Sequence, residues 1–167
     1  MTRSLVRAFV ATLAIVLVPL SARAQDSGIE VGSRAPAAVV ETLDGKAANL
    51  SQVTGKGPVV LEFWATWCEN CHELEPRIKA AQAKYAGKVR FVSVAVSVNQ
   101  SPERVKAYVA KHAIGGDQFY DRKGNATGAY DVPATSYVVV LDRAGKVVYT
   151  GVGGRQDLDA AIGKALK

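Results

Sequence analysis

Cysteine is almost missing from this chain: 167 residues hold two, Cys68 and Cys71, which excludes a fold stapled by several disulfides. Methionine occurs once, at Met1, and histidine twice, at His72 and His112. That leaves few donors for a metal centre or a haem. Past residue 24 there is no Lys/Arg cluster and no basic face interleaved with aromatics, so nucleic-acid binding has no footprint here. Internal repeats and low-complexity segments are also lacking. The apolar run Ala8–Leu20 is shorter than the ~20 residues that a bilayer span requires.

What is present at the start reads as an export signal. Arg3 and Arg7 precede the apolar run, and Ala22-Arg23-Ala24 has the small-residue pattern of a cleavage site. Residues 1–24 are expected to be a cleaved signal peptide, with an uncut anchor as the alternative. Removing three arginines and no acids lowers the formal charge from +6 to +3. Residues 25–33 read as a flexible leader and 34–167 as one domain. Export implies an oxidising compartment, the periplasm, where a cysteine pair would normally be structural. A two-residue gap gains little from loop closure, so the pair is better explained as a working dithiol.

The rest is organised around Pro58-Val59-Val60-Leu61-Glu62-Phe63-Trp64-Ala65-Thr66-Trp67-Cys68-Glu69-Asn70-Cys71. Its near-continuous apolar run predicts a strand covered on both faces, breaking into a turn that opens a helix at Cys68. Unpaired N–H groups and the macrodipole favour a thiolate at a helix start, and the thiolate is the nucleophile of disulfide exchange. Glu62 interrupts the strand. Either it reaches water at a strand end, or it is buried with a raised pKa and shuttles protons beneath Cys71. Cys71, Leu74, Ile78, Ala81 and Tyr85 then recur at helical spacing, so Cys71 is expected on the core-facing stripe and Cys68 at the open end. Pro76 interrupts this helix and Gly87 ends it.

Elsewhere, Ala38–Thr42 and Lys46–Leu50 flank an Asp44-Gly45 turn and predict a hairpin. Val89–Val98 reads as a buried strand. Ser101-Pro102-Glu103 starts a helix whose inner stripe is Val105, Tyr108, Val109 and His112. Gln118–Tyr120, Thr135–Leu141 and Lys146–Val152 read as strands, Ala126–Tyr130 as a short helix, and Leu158–Leu166 as a terminal amphipathic one. The layout is α/β.

Phe63-Trp64-Ala65-Thr66-Trp67-Cys68-x-x-Cys71 and Val132-Pro133-Ala134-Thr135 together resemble the two signatures of the thioredoxin superfamily. Thr42-Leu43-Asp44-Gly45, Leu50-Ser51 and the extra unit over Ser101–Tyr120 resemble its TlpA/ResA-like branch of exported thiol–disulfide oxidoreductases. The similarity covers most of residues 32–167. It implies a thioredoxin-like fold with an N-terminal β-hairpin and a central strand–helix insertion. It implies Cys68 as nucleophile, Cys71 as resolving thiol and Glu62 as buried acid. Trp67 would wall the site, Pro133 would be a cis-proline facing the cysteines, and the Val132 backbone would pair with a substrate peptide. Leu74 stands where the branch usually has a glutamate, which leaves Glu62 as the proton acceptor.

The resemblance further implies a monomer needing no cofactor, re-reduced by a membrane electron donor, with exported disulfide proteins such as apocytochrome c as substrates in cytochrome c maturation. Asn70 replaces a common proline. Glu69 beside the nucleophile disfavours its thiolate, which makes the couple more reducing and favours a reductase over an oxidase. The main rival is c-type haem attachment, because Cys68-Glu69-Asn70-Cys71-His72 also spells C-x-x-C-H. His112 would then be the available second axial ligand past residue 24. A peroxiredoxin-type peroxidase is weaker, since Leu61 stands where its motif needs proline. His72 itself reads most simply as an exposed polar residue.

Overall fold

The computed structural model describes residues 28–167, so the expected signal segment, 1–24, lies outside the described residues. Val39–Thr42 (β1) and Ala47–Asn49 (β2) pair antiparallel across a turn in which Gly45 takes φ 79°, a left-handed value that glycine accommodates. Asn49 caps the 3-10 turn Leu50–Gln52 that follows, its side chain accepting from the Ser51 N–H.

Val59–Trp64 (β3) leads through Ala65–Trp67 into Glu69–Lys84 (α1) and on to Arg90–Val96 (β4). Ser101 caps Pro102–His112 (α2), and Ala113 ends it at φ 50°. Asp117–Asp121 (β5), Asn125–Ala129 (α3), Tyr137–Leu141 (β6), Val147–Val152 (β7) and Leu158–Ala165 (α4) complete the chain. The sheet runs β2-β1-β5-β4-β3-β6-β7. Strands β3, β4 and β5 are parallel neighbours, and the outer pairings are antiparallel. This is a thioredoxin-like sheet with the expected leading hairpin and the inserted α2–β5 unit.

Side-chain alternation splits the core between two faces. Val59, Leu61 and Phe63 point to one face and pack with Leu50, Val92, Val94, Tyr130 and Tyr137. Phe63 lies 5.4 Å from the Tyr130 ring and 6.1 Å from that of Tyr137. Val60 and Trp64 point to the other face, which α1, α2 and α4 cover. Glu62 shares that second face.

Two loops are fixed by buried or partly buried polar groups. Asp121, 1 % exposed, accepts from the Ala126 N–H at 3.2 Å and the Thr127 N–H at 2.8 Å, and the Thr127 hydroxyl also donates to it. Asp142 accepts from the Ala144 and Lys146 N–H groups, both at 2.9 Å, and closes the β6–β7 hairpin.

Ile29, in the stretch expected to be a flexible leader, packs against the first core face and donates its N–H to the Tyr130 carbonyl and the Tyr137 hydroxyl. The chain then runs along the start of β7. The Gly32 N–H donates to the Val147 carbonyl, the Val147 N–H to Ser33, and the Ala35 N–H to Gly145. Strand β7 also carries a register shift opposite Val140/Leu141. No helix among the described residues is long and apolar enough to cross a membrane.

Candidate active site

Because β3 ends at Trp64 and α1 begins at Glu69, four residues make the turn, and Cys68 becomes the helix N-cap. Its extended backbone (φ −85°, ψ 110°) leaves the Sγ to accept the Cys71 N–H at 3.1 Å. A sulfur thus occupies the place of a capping oxygen, at the positive end of a helix. Cys68 and Cys71 form a disulfide with Cα atoms 5.2 Å apart. Cys71, Leu74, Ile78 and Ala81 are buried in the order the periodicity predicts.

The expected contrast in exposure between the two sulfurs is absent: Cys68 is 5 % and Cys71 4 % exposed. With the disulfide closed, each cysteine covers part of the other, and both pack into one cluster with Trp64, Ala95 and Val105.

Glu62 is buried at 8 % exposure and not at a wet strand end. It stands opposite Ser93 on β4 and Val138 on β6. Burial, and then the nearby Glu75 charge, push its pKa up to about 8. Glu62, Cys71, Trp64 and Ser93 line one small cavity of about 20 Å³. A carboxyl that holds its proton this firmly, lining the same cavity as Cys71, is placed to exchange a proton with that sulfur when the disulfide opens.

Trp67 is 43 % exposed, and its indole N–H donates to the Val98 carbonyl at 2.8 Å. The Thr66 N–H donates to Gln100 Oε1 at 2.8 Å, and His72 Nε2–H donates to the Thr66 carbonyl at 3.1 Å. The turn before Cys68 is therefore held from the loop after β4 and from its own helix. His72 is exposed, as expected, but its ring also stacks on Tyr108. With one nitrogen bonded and one face covered, it is poorly arranged to be an axial haem ligand, which weakens the C-x-x-C-H rival.

The second signature departs from the expectation. Among the described residues no peptide bond is cis, so Val132–Pro133 is trans. The Val132 N–H is already donated to the Thr127 carbonyl at 3.0 Å, closing the end of α3, and its side chain packs on the core face away from the cysteines. Pro133 is exposed. The residue that meets β3 is Ser136, at φ 65°, whose N–H donates to the Phe63 carbonyl at 2.8 Å. A proline at that position would lack this donor.

Four residues near the site were given no part in the thiol chemistry by the sequence reading. Gln100 left no sequence signal. Glu75 lies four residues after Cys71, which puts both on one helix face, and Tyr108 and His112 repeat that spacing on α2. Those spacings were a readable cue.

A family model described as Redoxin matches residues 30–166. The chain is 32 % identical over 141 residues to the thioredoxin-like protein YneN of Bacillus subtilis, covering 83 % of this chain and 82 % of that one. It is 34 % identical over 125 residues to the thiol–disulfide oxidoreductase ResA of the same organism, covering 75 % and 69 %. Among solved structures, a candidate thiol:disulfide interchange protein DsbE from Chlorobium tepidum superposes with a TM-score of 0.73 at 29 % identity, over 83 % of this chain and 99 % of that one.

Proposed function

The chain belongs to the Redoxin family, among the ResA-like thiol–disulfide oxidoreductases of the thioredoxin superfamily, and on that premise we propose that it reduces disulfides of exported proteins through Cys68 and Cys71. The observation that carries this reading is a disulfide closed across a helix N-terminus over a buried, proton-holding carboxyl.

The Cys68 thiolate attacks a substrate disulfide; one substrate sulfur leaves with the electron pair and the other stays bonded to Cys68. Cys71 gives its proton to the Glu62 carboxylate and attacks Cys68 Sγ. The Cys68–Cys71 bond forms and the second substrate thiolate departs. Resetting runs the other way: a donor thiolate attacks Cys68, Cys71 leaves as thiolate and takes the proton from Glu62, and a second donor thiolate then attacks the donor sulfur, forming the donor's disulfide and releasing the Cys68 thiolate. A membrane electron donor is the reductant this scheme calls for. Trp67 offers a flat wall for the substrate chain, with the exposed Pro133 on the loop before β6 at the same end of the sheet. Apocytochrome c, in the periplasm, is the substrate that the family resemblance favours.

Insulin reduction tests the reading. Cys68→Ala should lose activity by on the order of 10⁴-fold or more, and Cys71→Ala should accumulate covalent mixed disulfides on non-reducing gels. A Cys68–Cys71 potential near about −270 mV supports a reductase, whereas one near about −120 mV makes the protein an oxidant.

A further inference from the structure

The cavity beside Cys71 has a second acid in its wall. Glu75, on α1, lines it together with Glu62, Trp64, Ser93 and Tyr108. At about 20 Å³ the space suits roughly one water molecule. The Trp64 indole N–H, on a residue 4 % exposed, has no protein partner and is available as a donor to such a water. Two carboxyls thus share one poorly solvated chamber, where a pair of like charges is costly.

Their surroundings decide which keeps the charge. Glu75 Oε1 accepts from Lys79 Nζ at 2.7 Å, and Oε2 accepts from the Tyr108 hydroxyl at 3.1 Å. His112 Nδ1 stands 3.4 Å from Oε1. Burial pushes the Glu75 pKa up, but the bonds from Lys79 and Tyr108 and the charges of Lys79 and His112 bring it below the usual glutamate range. Its side chain is 17 % exposed, so it stands between the chamber and solvent. From α1, Lys79 and His72 face this region; from α2, Tyr108 and His112; from β3, Glu62; from β4, Ser93. The ion pairs of α1 with the α4 region, Lys84–Asp159 and Glu73–Arg155, involve other residues of the helix.

We propose that Glu75 is a positioning residue of the redox site, whose fixed negative charge across the shared chamber keeps the proton on Glu62 until Cys71 needs it. This rests on the reading of Glu62 as the proton shuttle. With the disulfide closed, Glu62 is the neutral acid and Glu75 the anion. When a donor thiolate opens the disulfide, the electron pair goes to Cys71, the Glu62 proton follows it, and the negative charge that the donor brought ends on Glu62. The stack of His72, Tyr108 and His112, with ring centroids 5.7 and 3.9 Å apart, joins α1 to α2 beside the chamber and holds Tyr108, a Glu75 partner, between two rings.

The test is the pH midpoint at which the infrared carbonyl band of the buried carboxylic acid disappears in the oxidised protein. Glu75→Gln should move that midpoint down by at least about half a pH unit, roughly threefold in proton affinity. Lys79→Gln, which leaves Glu75 less neutralised, should move it up. A purely structural role for Glu75 would change thermal stability without this opposed pair of shifts. If the band is lost in Glu62→Gln but neither other variant moves the midpoint, this proposal is overturned and the shuttle survives. If the band persists in Glu62→Gln, the shuttle reading falls and the role of Glu75 with it.

Discussion

Asp121 and Glu62 are both carboxyls inside the same sheet, at 1 % and 8 % exposure, yet they are built for opposite purposes. Asp121 takes two backbone N–H groups and a hydroxyl at the start of α3, and its partners explain its burial. Glu62 stands opposite Ser93 and Val138 and shares a cavity with Cys71, and its burial raises its proton affinity. Burial alone therefore does not mark chemistry. An acid whose acceptor capacity is filled holds a loop, and an acid left with a proton to trade serves a reaction.

That contrast can be broken by substitution. Glu62→Gln should slow mixed-disulfide resolution by roughly 10²-fold near neutral pH while circular dichroism stays native, read by rapid-quench trapping of the intermediate. Asp121→Ala should do the reverse. Loss of its bonds strands the α3 N–H groups and costs about 2–3 kcal/mol, seen as a lowered urea midpoint with unchanged turnover of the folded protein. If Asp121→Ala impaired turnover and left stability intact, the two acids would not differ as argued.

A pH titration of stability sharpens the same contrast. The folded-state pKa of Glu62 is raised, from 4.5 to about 8, so its protonated form is favoured by folding. The stability it contributes is fully present below the lower value and is lost as pH rises through the higher one. The slope between them is at most about 1.4 kcal/mol per pH unit, and Glu62→Gln should flatten it in urea melts collected across that window. The smallest effect is expected at Gln100. Removing its bond to the Thr66 N–H with Gln100→Ala should cost about 1 kcal/mol and increase alkylation of reduced Cys68, measured by mass spectrometry.

Legibility followed the range of the interactions. The α1 stripe, the Asp44-Gly45 hairpin and the burial of Glu62 were readable because each is fixed within a few residues or by the apolar run around it. The left-handed Ala113 was not, since it depends on how α2 meets the sheet. Nor was the link from Glu75 to Tyr108 and His112, which joins residues more than thirty apart in sequence. The segment before β6 misled for a different reason. Pro133 carries the resemblance, yet the backbone that touches β3 belongs to Ser136, three residues later. Equal cover of the two sulfurs was hidden because it belongs to the closed disulfide and not to the helix alone.

The strip of chain from Gly32 to Ala35 lying along the start of β7 has a protective consequence. An edge strand with free ladder groups is a template for aggregation. Here the molecule has already zipped part of its own seam shut, and the irregular register opposite Val140/Leu141 falls at that same end of β7. A protein that meets other chains through disulfide exchange thus keeps part of its own β7 edge from serving as a second, irreversible point of attachment.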